Sequence, residues 1–255
     1  MKKSVVLLAL YFCMGSLWAQ NLSVADSIAK DTTSNLTFNY KQLIIPGVLI
    51  GYGLVGLESD QLKSFNSEIR EEVQEHIDDK TTVDDFGQWA PAASVFALDA
   101  LGIKAKHNLR DRAVLFTTSF TIMSVTVFSL KSITKVQRPD GTSFNSFPSG
   151  HTATAFAGAE LLYQEYKDQS VWYGIAGYAV ATGTGLFRVY NNRHWFTDIA
   201  AGAGIGILST KIAYWINPWL TNVLFNGKSR ENKSSAFIMP FYDGKMAGVS
   251  FAKTF

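Results

Sequence analysis

Cysteine is almost absent from this chain of 255 residues, and the single Cys13 excludes a disulfide framework and a cysteine-based zinc site. Only six prolines occur, while hydrophobic residues make up 47% of the chain, which excludes general disorder. Neither sign of charge is in excess, because 23 Lys and Arg stand against 21 Asp and Glu. A broad basic field that would bind nucleic acid is therefore excluded as a partner surface. Charged residues make up only 17%, and this shortage is the first indication of a membrane protein.

The N-terminal residues have the pattern of a secretory signal. Lys2 and Lys3 precede an uncharged apolar stretch from Ser4 to Trp18, and Ala19 is a small residue suited to cleavage. An uncleaved anchor is the alternative. We expect four parts in the chain: a signal peptide (1–19), a polar leader (20–42), a core (43–225) and a C-terminal tail (226–255).

Six apolar segments in the core have the character of helices. They are Leu43–Leu57, Trp89–Ile103, Ala113–Leu130, His151–Tyr166, Val171–Phe187 and Trp195–Leu220. Several fall short of the roughly 20 residues that a spanning helix needs, so six helices are better supported than six full spans. Gly202 and Gly206 give the last segment a small-residue face that lets another helix approach closely. The pattern predicts an all-α, six-helix bundle embedded in a membrane.

Two stretches outside these segments have patterns of their own. Residues 58–88 are hydrophilic, and the spacing within 67–77 predicts a solvated amphipathic helix. Near the C-terminus, Phe237–Tyr242 and Met246–Phe255 flank the turn sequence Asp243-Gly244. This arrangement predicts a β-hairpin, which we interpret as a tail appended to the core.

Three clusters of polar residues lie where apolar segments end or begin, and cations are prominent among them. The clusters are Lys131 to Arg138-Pro139, Pro148-Ser149-Gly150-His151, and Arg188 to His194 and Asp198. Arginine forks match phosphate oxygens bidentately, and lysine adds a point charge. Ser149 and Gly150 stand where a helix begins, a position whose free N–H groups favour an anion. Gly150 also lets the backbone approach a ligand closely.

Two of the four histidines fall within these clusters. His194 and Asp198 are four residues apart, so one helical turn could bring them together. The carboxylate would fix the imidazole tautomer and leave the other ring nitrogen free to attack. His151 could protonate a departing alkoxide, because the histidine pKa lies near neutral pH. We interpret His76 and His107 as surface residues. The set describes metal-free phosphoryl transfer through a phosphohistidine.

These residues resemble the type-2 phosphatidic acid phosphatase superfamily, whose motifs are K-x6-RP, PSGH and SR-x5-H-x3-D. All three motifs occur in order, and the resemblance covers about 43–220. Phe187 departs from the pattern, since the family has Ser there, which puts one auxiliary hydrogen bond in doubt. The resemblance implies a six-helix fold with the site at one end, no metal and no cofactor.

The resemblance also implies a role for each motif residue. His194 would be the nucleophile, Asp198 its orienting partner and His151 the acid for the leaving group. The phosphate would be held by Lys131, Arg138, Ser149, Gly150 and Arg188. The longer stretches 102–112 and 187–211 resemble exported phosphatases of Bacteroidetes, some of which remove a phosphate from lipid A.

The expected function is removal of a phosphate from a membrane lipid. Lipid A, undecaprenyl diphosphate and phosphatidylglycerol phosphate all remain open as substrates, because the motifs do not separate them. A soluble periplasmic acid phosphatase for small monoesters is the alternative. A vanadate-binding haloperoxidase shares the anion cradle but belongs to larger soluble proteins. A non-catalytic bundle does not account for a complete set of motif residues.

The charge pattern also gives an expected orientation. The basic stretch 104–112 should face the cytoplasm, which places the three motifs at the periplasmic face of the inner membrane. Outer-membrane association is the alternative location. With a cleaved signal, this orientation requires that the short, glycine-rich segment Leu43–Leu57 does not fully cross.

Overall fold

The computed structural model describes residues 38–75 and 82–226, and the backbone of residues 236–242 and 247–253. The predicted signal peptide and residues 20–37 of the predicted leader lie outside the described residues. At the other end of the leader, Tyr40–Leu43 forms one turn of 3-10 helix, with the Asn39 side chain accepting a hydrogen bond from the N–H of Lys41.

Eight α-helices form among the described residues, and the predicted number of six is wrong. They are α1 (Ile44–Glu58), α2 (Asp60–Gln74), α3 (Val83–Gly87), α4 (Ala90–Ala100), α5 (Leu109–Thr134), α6 (Gly150–Tyr166), α7 (Val171–Tyr190) and α8 (Phe196–Thr221). All six predicted segments are helical. The two additional helices, α2 and α3, come from the hydrophilic stretch between the first two segments. A count based on apolar runs cannot include them.

Helix α6 lies at the centre of the bundle, where small side chains allow close packing. It contacts α4, α5, α7 and α8. A Cβ at Gly202 of α8 would lie 2.5 Å from the Ser149 carbonyl oxygen, and one at Gly206 would lie 2.4 Å from that of Ala153. Only glycine permits this contact, so the predicted small-residue face of α8 is a helix-packing surface against α6.

The helices bring the three motifs to one end of the bundle, which we call the motif end. Helix α1 runs antiparallel to α8, with Gly56 beside Thr197 and Gly204 beside Pro46. The N–H of Ser149 donates to the Asp198 carbonyl at 3.0 Å, which joins the starts of α6 and α8. The motif end therefore holds the C-termini of α1, α5 and α7 and the N-termini of α6 and α8.

The opposite end is tied by a separate polar cluster. His107 Nδ1 lies 2.8 Å from Glu165 Oε1, and Tyr214 donates to the same carboxylate. The His107 side chain is only 9% exposed, so its interpretation as a surface residue was wrong. A buried partner 58 residues away leaves no trace in local sequence. The basic stretch 104–112 is at this end, and α5 separates it from the motif end.

Helix α2 lies across the motif end and is not simply solvated. Asn66 is buried and donates to Thr197 Oγ1 at 2.9 Å. Arg70 donates to Asn192 at 3.0 Å, and Gln74 donates to the Tyr190 carbonyl at 3.1 Å. The predicted amphipathic helix thus exists, but its polar side holds the loop between α7 and α8.

Three helices among the described residues are long and apolar enough to cross a membrane: Tyr40–Glu58, Leu109–Thr134 and Phe196–Phe225. The first includes the segment that we expected not to cross. The 3-10 turn lengthens it to 19 residues, so shortness no longer argues against a crossing.

A pair of strands follows the helices. Strands β1 (Ala236–Tyr242) and β2 (Ala247–Lys253) pair antiparallel, with Ala236 opposite Lys253 and Tyr242 opposite Ala247. The predicted Asp243-Gly244 turn lies outside the described residues. That this region forms a tail separate from the core remains a prediction.

Candidate active site

A tight loop between α7 and α8 places His194. Asn192 adopts a left-handed backbone conformation with φ of 56°, which asparagine tolerates better than most residues. The chain then folds back, so that the N–H groups of Arg193 and His194 both donate to the Arg188 carbonyl, at 2.9 and 3.3 Å. The imidazole is held against the start of α8.

His194 and Asp198 form a buried pair, only 2% and 1% exposed. His194 Nδ1 lies 3.5 Å from Asp198 Oδ2. The same carboxylate oxygen accepts hydrogen bonds from Ser146 Oγ at 2.6 Å and from the N–H of Trp195 at 2.9 Å. Ser146 Oγ is also 3.4 Å from Nδ1. Ser146 was missed in the sequence, where nothing distinguishes it from the other serines near the PSGH motif.

The surroundings of His194 keep its imidazole neutral. Burial lowers the His194 pKa from 6.5 to about 4, and the positive charges of Lys131 and Arg188 act in the same direction. The hydrogen bond and negative charge of Asp198 raise the pKa but do not outweigh burial. A neutral ring whose Nδ1 faces Asp198 has its Nε2 lone pair available for attack on phosphorus.

A cavity of about 340 Å³ opens at the motif end, and basic side chains dominate its wall. The lining residues are Thr82, Asp84, Asp85, Arg138, His151, Arg188, Asn191 and Arg193. Three of the eight predicted site residues are thus brought to one cavity: Arg138, His151 and Arg188. Arg193 is a further cation that the motifs did not indicate.

Arg188 is the most enclosed of these cations, at 7% exposed. Its Nη1 donates to Asp84, whose other carboxylate oxygen accepts from Asn191 Nδ2 at 3.0 Å. Among the described residues, the buried Nε of Arg188 has no hydrogen-bond partner. Leaving a buried donor unpaired is costly. The guanidinium also lines the cavity, where its positive charge favours an oxyanion.

Lys131 and Arg138, the other two cations of the predicted site, are tied to the loop before α6. Arg138 Nε donates to Asn145 Oδ1 at 2.9 Å. Lys131 Nζ donates to the carbonyl oxygens of Asn145 and of Ser146, the latter at 3.3 Å. Lys131 is thereby brought beside the residue that bonds Asp198, although it is not among the residues that line the cavity. Arg193 pairs with Asp140 at 3.0 Å.

Ser149 and Gly150 begin α6, as the PSGH motif predicted. The buried Ser149 hydroxyl caps the helix, accepting from the Thr152 N–H at 3.4 Å and contacting Thr152 Oγ1 at 2.8 Å. Its predicted contact with phosphate stays a prediction. A Cβ at Gly150 would meet only Val127, at an ordinary 3.8 Å. Protein packing therefore gives no reason for a glycine there, whereas a closely approaching ligand does.

Asp84 and Asp85 are cavity residues that sequence reasoning missed. They lie on α3, in a hydrophilic stretch without a motif, and Asp85 Oδ1 is 2.9 Å from His151 Nε2. Burial and the Arg188 charge lower the His151 pKa below 6.5, while Asp85 and Asp84 oppose this shift.

Asp84, Asp85 and His151 have ligand atoms within 4.8 Å of one another. Both oxygens of Asp84 are already engaged, by Arg188 and Asn191. A guanidinium at this position would repel a cation, so the donor set suits an ion-pair network better than a metal.

Comparisons with known proteins identify the same region. The PAP2 superfamily model matches residues 112–222. A lipid A 1-phosphatase from Porphyromonas gingivalis is 40% identical over 138 residues, which is 54% of this chain and 31% of that protein. The bacitracin transport permease protein BcrC from Bacillus licheniformis is 34% identical over 77 residues, 30% of this chain and 36% of that protein. The chain spans about a third of the length of each of these relatives.

Two solved structures are also similar. The PAP2-type phosphatidylglycerolphosphate phosphatase of Bacillus subtilis gives a TM-score of 0.47 at 18% identity, covering 76% of this chain and all of that one. Aquifex aeolicus LpxE gives a TM-score of 0.40 at 19% identity, covering 66% of this chain and 92% of that one.

The matched region includes every residue of the three motifs, from Lys131 to Asp198, so the family resemblance is confirmed. Residues 112–222 are thus the part of the chain that matches the PAP2 superfamily model.

Proposed function

We propose that the protein is a metal-independent phosphatase that removes a phosphate from a membrane lipid. His194 Nε2 attacks phosphorus, so the N–P bond forms as the bond to the lipid oxygen breaks. His151 gives its proton to that oxygen. Water then attacks the phosphohistidine, returns a proton to His151 and releases inorganic phosphate.

The observation that carries this proposal is the buried His194–Asp198 pair at the end of the bundle where the cationic cavity opens. Asp198 at 3.5 Å stabilises the positive charge that develops on the ring during attack. Arg138, Arg188 and Arg193 supply fixed positive charge for the transferring group, whose own charge spreads over three oxygens. Arg188 is the most enclosed of the three arginines, so solvent screens its charge least.

An apolar cavity supports a lipid as the substrate. It has a volume of about 400 Å³ and is lined by α2, α7 and the start of α8, including Ile69, Leu186, Phe187 and Phe196. Phe187, the departure from the family motif, thus lines an apolar cavity and is the chain neighbour of Arg188. A lipid whose phosphate enters the basic cavity could place hydrocarbon there.

Lipid A is our first candidate among the three lipids, because the P. gingivalis relative is a lipid A 1-phosphatase. The active site would face the periplasm, an orientation supported by the basic stretch 104–112 at the opposite end. Because residues 40–58 are long enough to cross, this orientation requires Tyr40 on the cytoplasmic side.

Activity and substrate can be tested together. Purified protein in detergent micelles should release phosphate from lipid A, and His194→Ala should abolish release in a protein that still melts cooperatively. A His107→Ala variant, changed at the opposite end, controls for loss of a partly buried histidine. Faster turnover of small monoesters than of any lipid would favour the soluble-substrate alternative. Mass spectrometry of membrane lipids with and without the gene identifies the phosphate removed in cells.

Orientation needs a separate measurement. In a Cys13→Ser background, Phe144→Cys at the motif end and Lys104→Cys at the opposite end can each be treated with a membrane-impermeant thiol reagent. Both positions are exposed. We expect labelling of position 144 in intact spheroplasts and of position 104 only after lysis. The reverse pattern would place the site in the cytoplasm.

A further inference from the structure

The two neighbouring carboxylates of α3 have different surroundings. Asp84 is 1% exposed, and both of its oxygens are fixed, one by Arg188 and the other by Asn191. Asp85 has a half-exposed side chain, at 53%. Substituting Asp84 would remove the buried charge partner of Arg188, whereas Asp85 is exposed enough to change its side-chain conformation.

Asp85 stands between two groups that a phosphate would also contact. Its Oδ1 is 2.9 Å from His151 Nε2 and 3.7 Å from Arg188 Nη1. In the proposed reaction, His151 faces the oxygen of the leaving group and Arg188 faces an oxygen of the transferring group. A carboxylate oxygen at this position has the charge and hydrogen-bonding capacity of a phosphate oxygen.

Asp85 and a bound phosphate therefore cannot share the position. A phosphate oxygen within hydrogen-bond distance of both His151 and Arg188 would overlap Oδ1 or lie beside it, where two negative charges repel. The Asp85 contacts are partly exposed to solvent, and exposed ion pairs are weak, so the carboxylate can yield to a dianion.

We propose that Asp85 is a displaceable carboxylate that occupies a phosphate-oxygen position before phosphate binds and leaves it when phosphate enters, while Asp84 is the positioning residue that holds Arg188. The assignment rests on the proposed phosphatase function. It makes Asp85 a determinant of affinity: the site must release its own anion before it binds another. Product phosphate meets the same competition, which favours its release.

Direct binding tests the idea without relying on turnover. Isothermal titration calorimetry with inorganic phosphate should show about tenfold tighter binding to Asp85→Asn than to the wild type, because the amide keeps a hydrogen-bond acceptor for His151 but loses the charge. Asp85→Glu, which keeps the charge, should return binding to within about threefold of the wild type. Asp168→Asn, the same change at the opposite end, should bind as the wild type does. Equal binding to wild type and Asp85→Asn, or no binding to either, would overturn the proposal.

Kinetics give a second readout that a structural role would not produce. The groups that face His151 are Asp84 and Asp85 from α3 and Arg188 from α7. If Asp85 leaves on binding, Asp85→Asn should lower KM and move the alkaline limb of kcat/KM to lower pH, because that limb reports the free enzyme. The alkaline limb of kcat, which reports the bound enzyme, should not move. A shift in the kcat limb would show that Asp85 stays on His151 and would refute displacement.

The phosphatase function and the role of Asp85 can be refuted independently. A wild-type protein that binds phosphate as described but hydrolyses no lipid or monoester contradicts the phosphatase and leaves Asp85 as a competing anion. An active enzyme whose Asp85→Asn variant keeps the wild-type phosphate affinity contradicts only the role of Asp85.

Discussion

Asp198→Asn separates the charge of Asp198 from its hydrogen bonding. An amide oxygen in place of Oδ2 can still accept from Ser146 and Trp195, so the start of α8 should keep its structure. We expect the melting temperature to fall by no more than a few degrees, which corresponds to about 1 kcal/mol for a domain of this size. The negative charge beside His194, however, is lost.

The size of the kinetic effect follows from the 3.5 Å between Nδ1 and Oδ2. At an effective dielectric constant of about 20, unit charges at that distance attract by about 5 kcal/mol. If roughly half a charge develops on the ring in the transition state, about 2.4 kcal/mol is lost, or roughly 50-fold in rate. If a full charge develops on the ring, the loss in rate is above roughly 10³-fold. We therefore expect the reduction in kcat to lie between these two values.

Single-turnover measurements with a synthetic lipid monophosphate would isolate formation of the phosphohistidine from product release. Asp168→Asn, whose carboxylate is exposed at the opposite end, is the matched control and should keep the wild-type rate. A loss of less than about tenfold for Asp198→Asn, in a protein that melts normally, would refute the role given to this carboxylate.

Three further outcomes are expected. Gly150→Ala should keep or raise the melting temperature, since its Cβ meets only Val127, yet weaken phosphate binding about tenfold in calorimetry. Unchanged affinity would mean that no ligand approaches this backbone. Gly47→Ala, whose Cβ would lie in open space, is the control. In a pH series, kcat/KM should rise as His194 loses its proton near pH 4 and fall as His151 loses its proton below pH 6.5, which gives an acidic optimum. An optimum above pH 8 would contradict the assignment of His194 as nucleophile and His151 as acid. Phosphate release should survive EDTA, and loss of activity that is restored by a divalent cation would contradict the metal-free reaction.

The sequence predicted the helices well wherever the buried residues form a continuous apolar segment. The segment predicted as His151–Tyr166 is α6 (Gly150–Tyr166), and the one predicted as Trp195–Leu220 is α8 (Phe196–Thr221). For α2 the sequence predicted a helix but not its surroundings, because the polar side of α2 packs on the loop near Asn192. A polar contact between residues 122 positions apart has no periodic signature, so solvent was the default interpretation.

The same distinction between local and long-range contacts applies to the candidate site. Local spacing was enough to pair His194 with Asp198, because one helical turn joins them. Asp84, Asp85 and Ser146 could not be predicted, since each reaches the site through the tertiary fold, Asp84 across 104 residues to Arg188. The roles of all eight predicted site residues stay predictions until the variants are measured.

The glycine contact between α6 and α8 has a consequence for how this protein can evolve. His151 follows directly from the start of one helix, and Asp198 lies in the first turn of the other, so the spacing of these two residues is set where main chain touches main chain. Exposed side chains elsewhere on the helices can change without altering this spacing. A single methyl group at position 202 or 206 would push α6 and α8 apart.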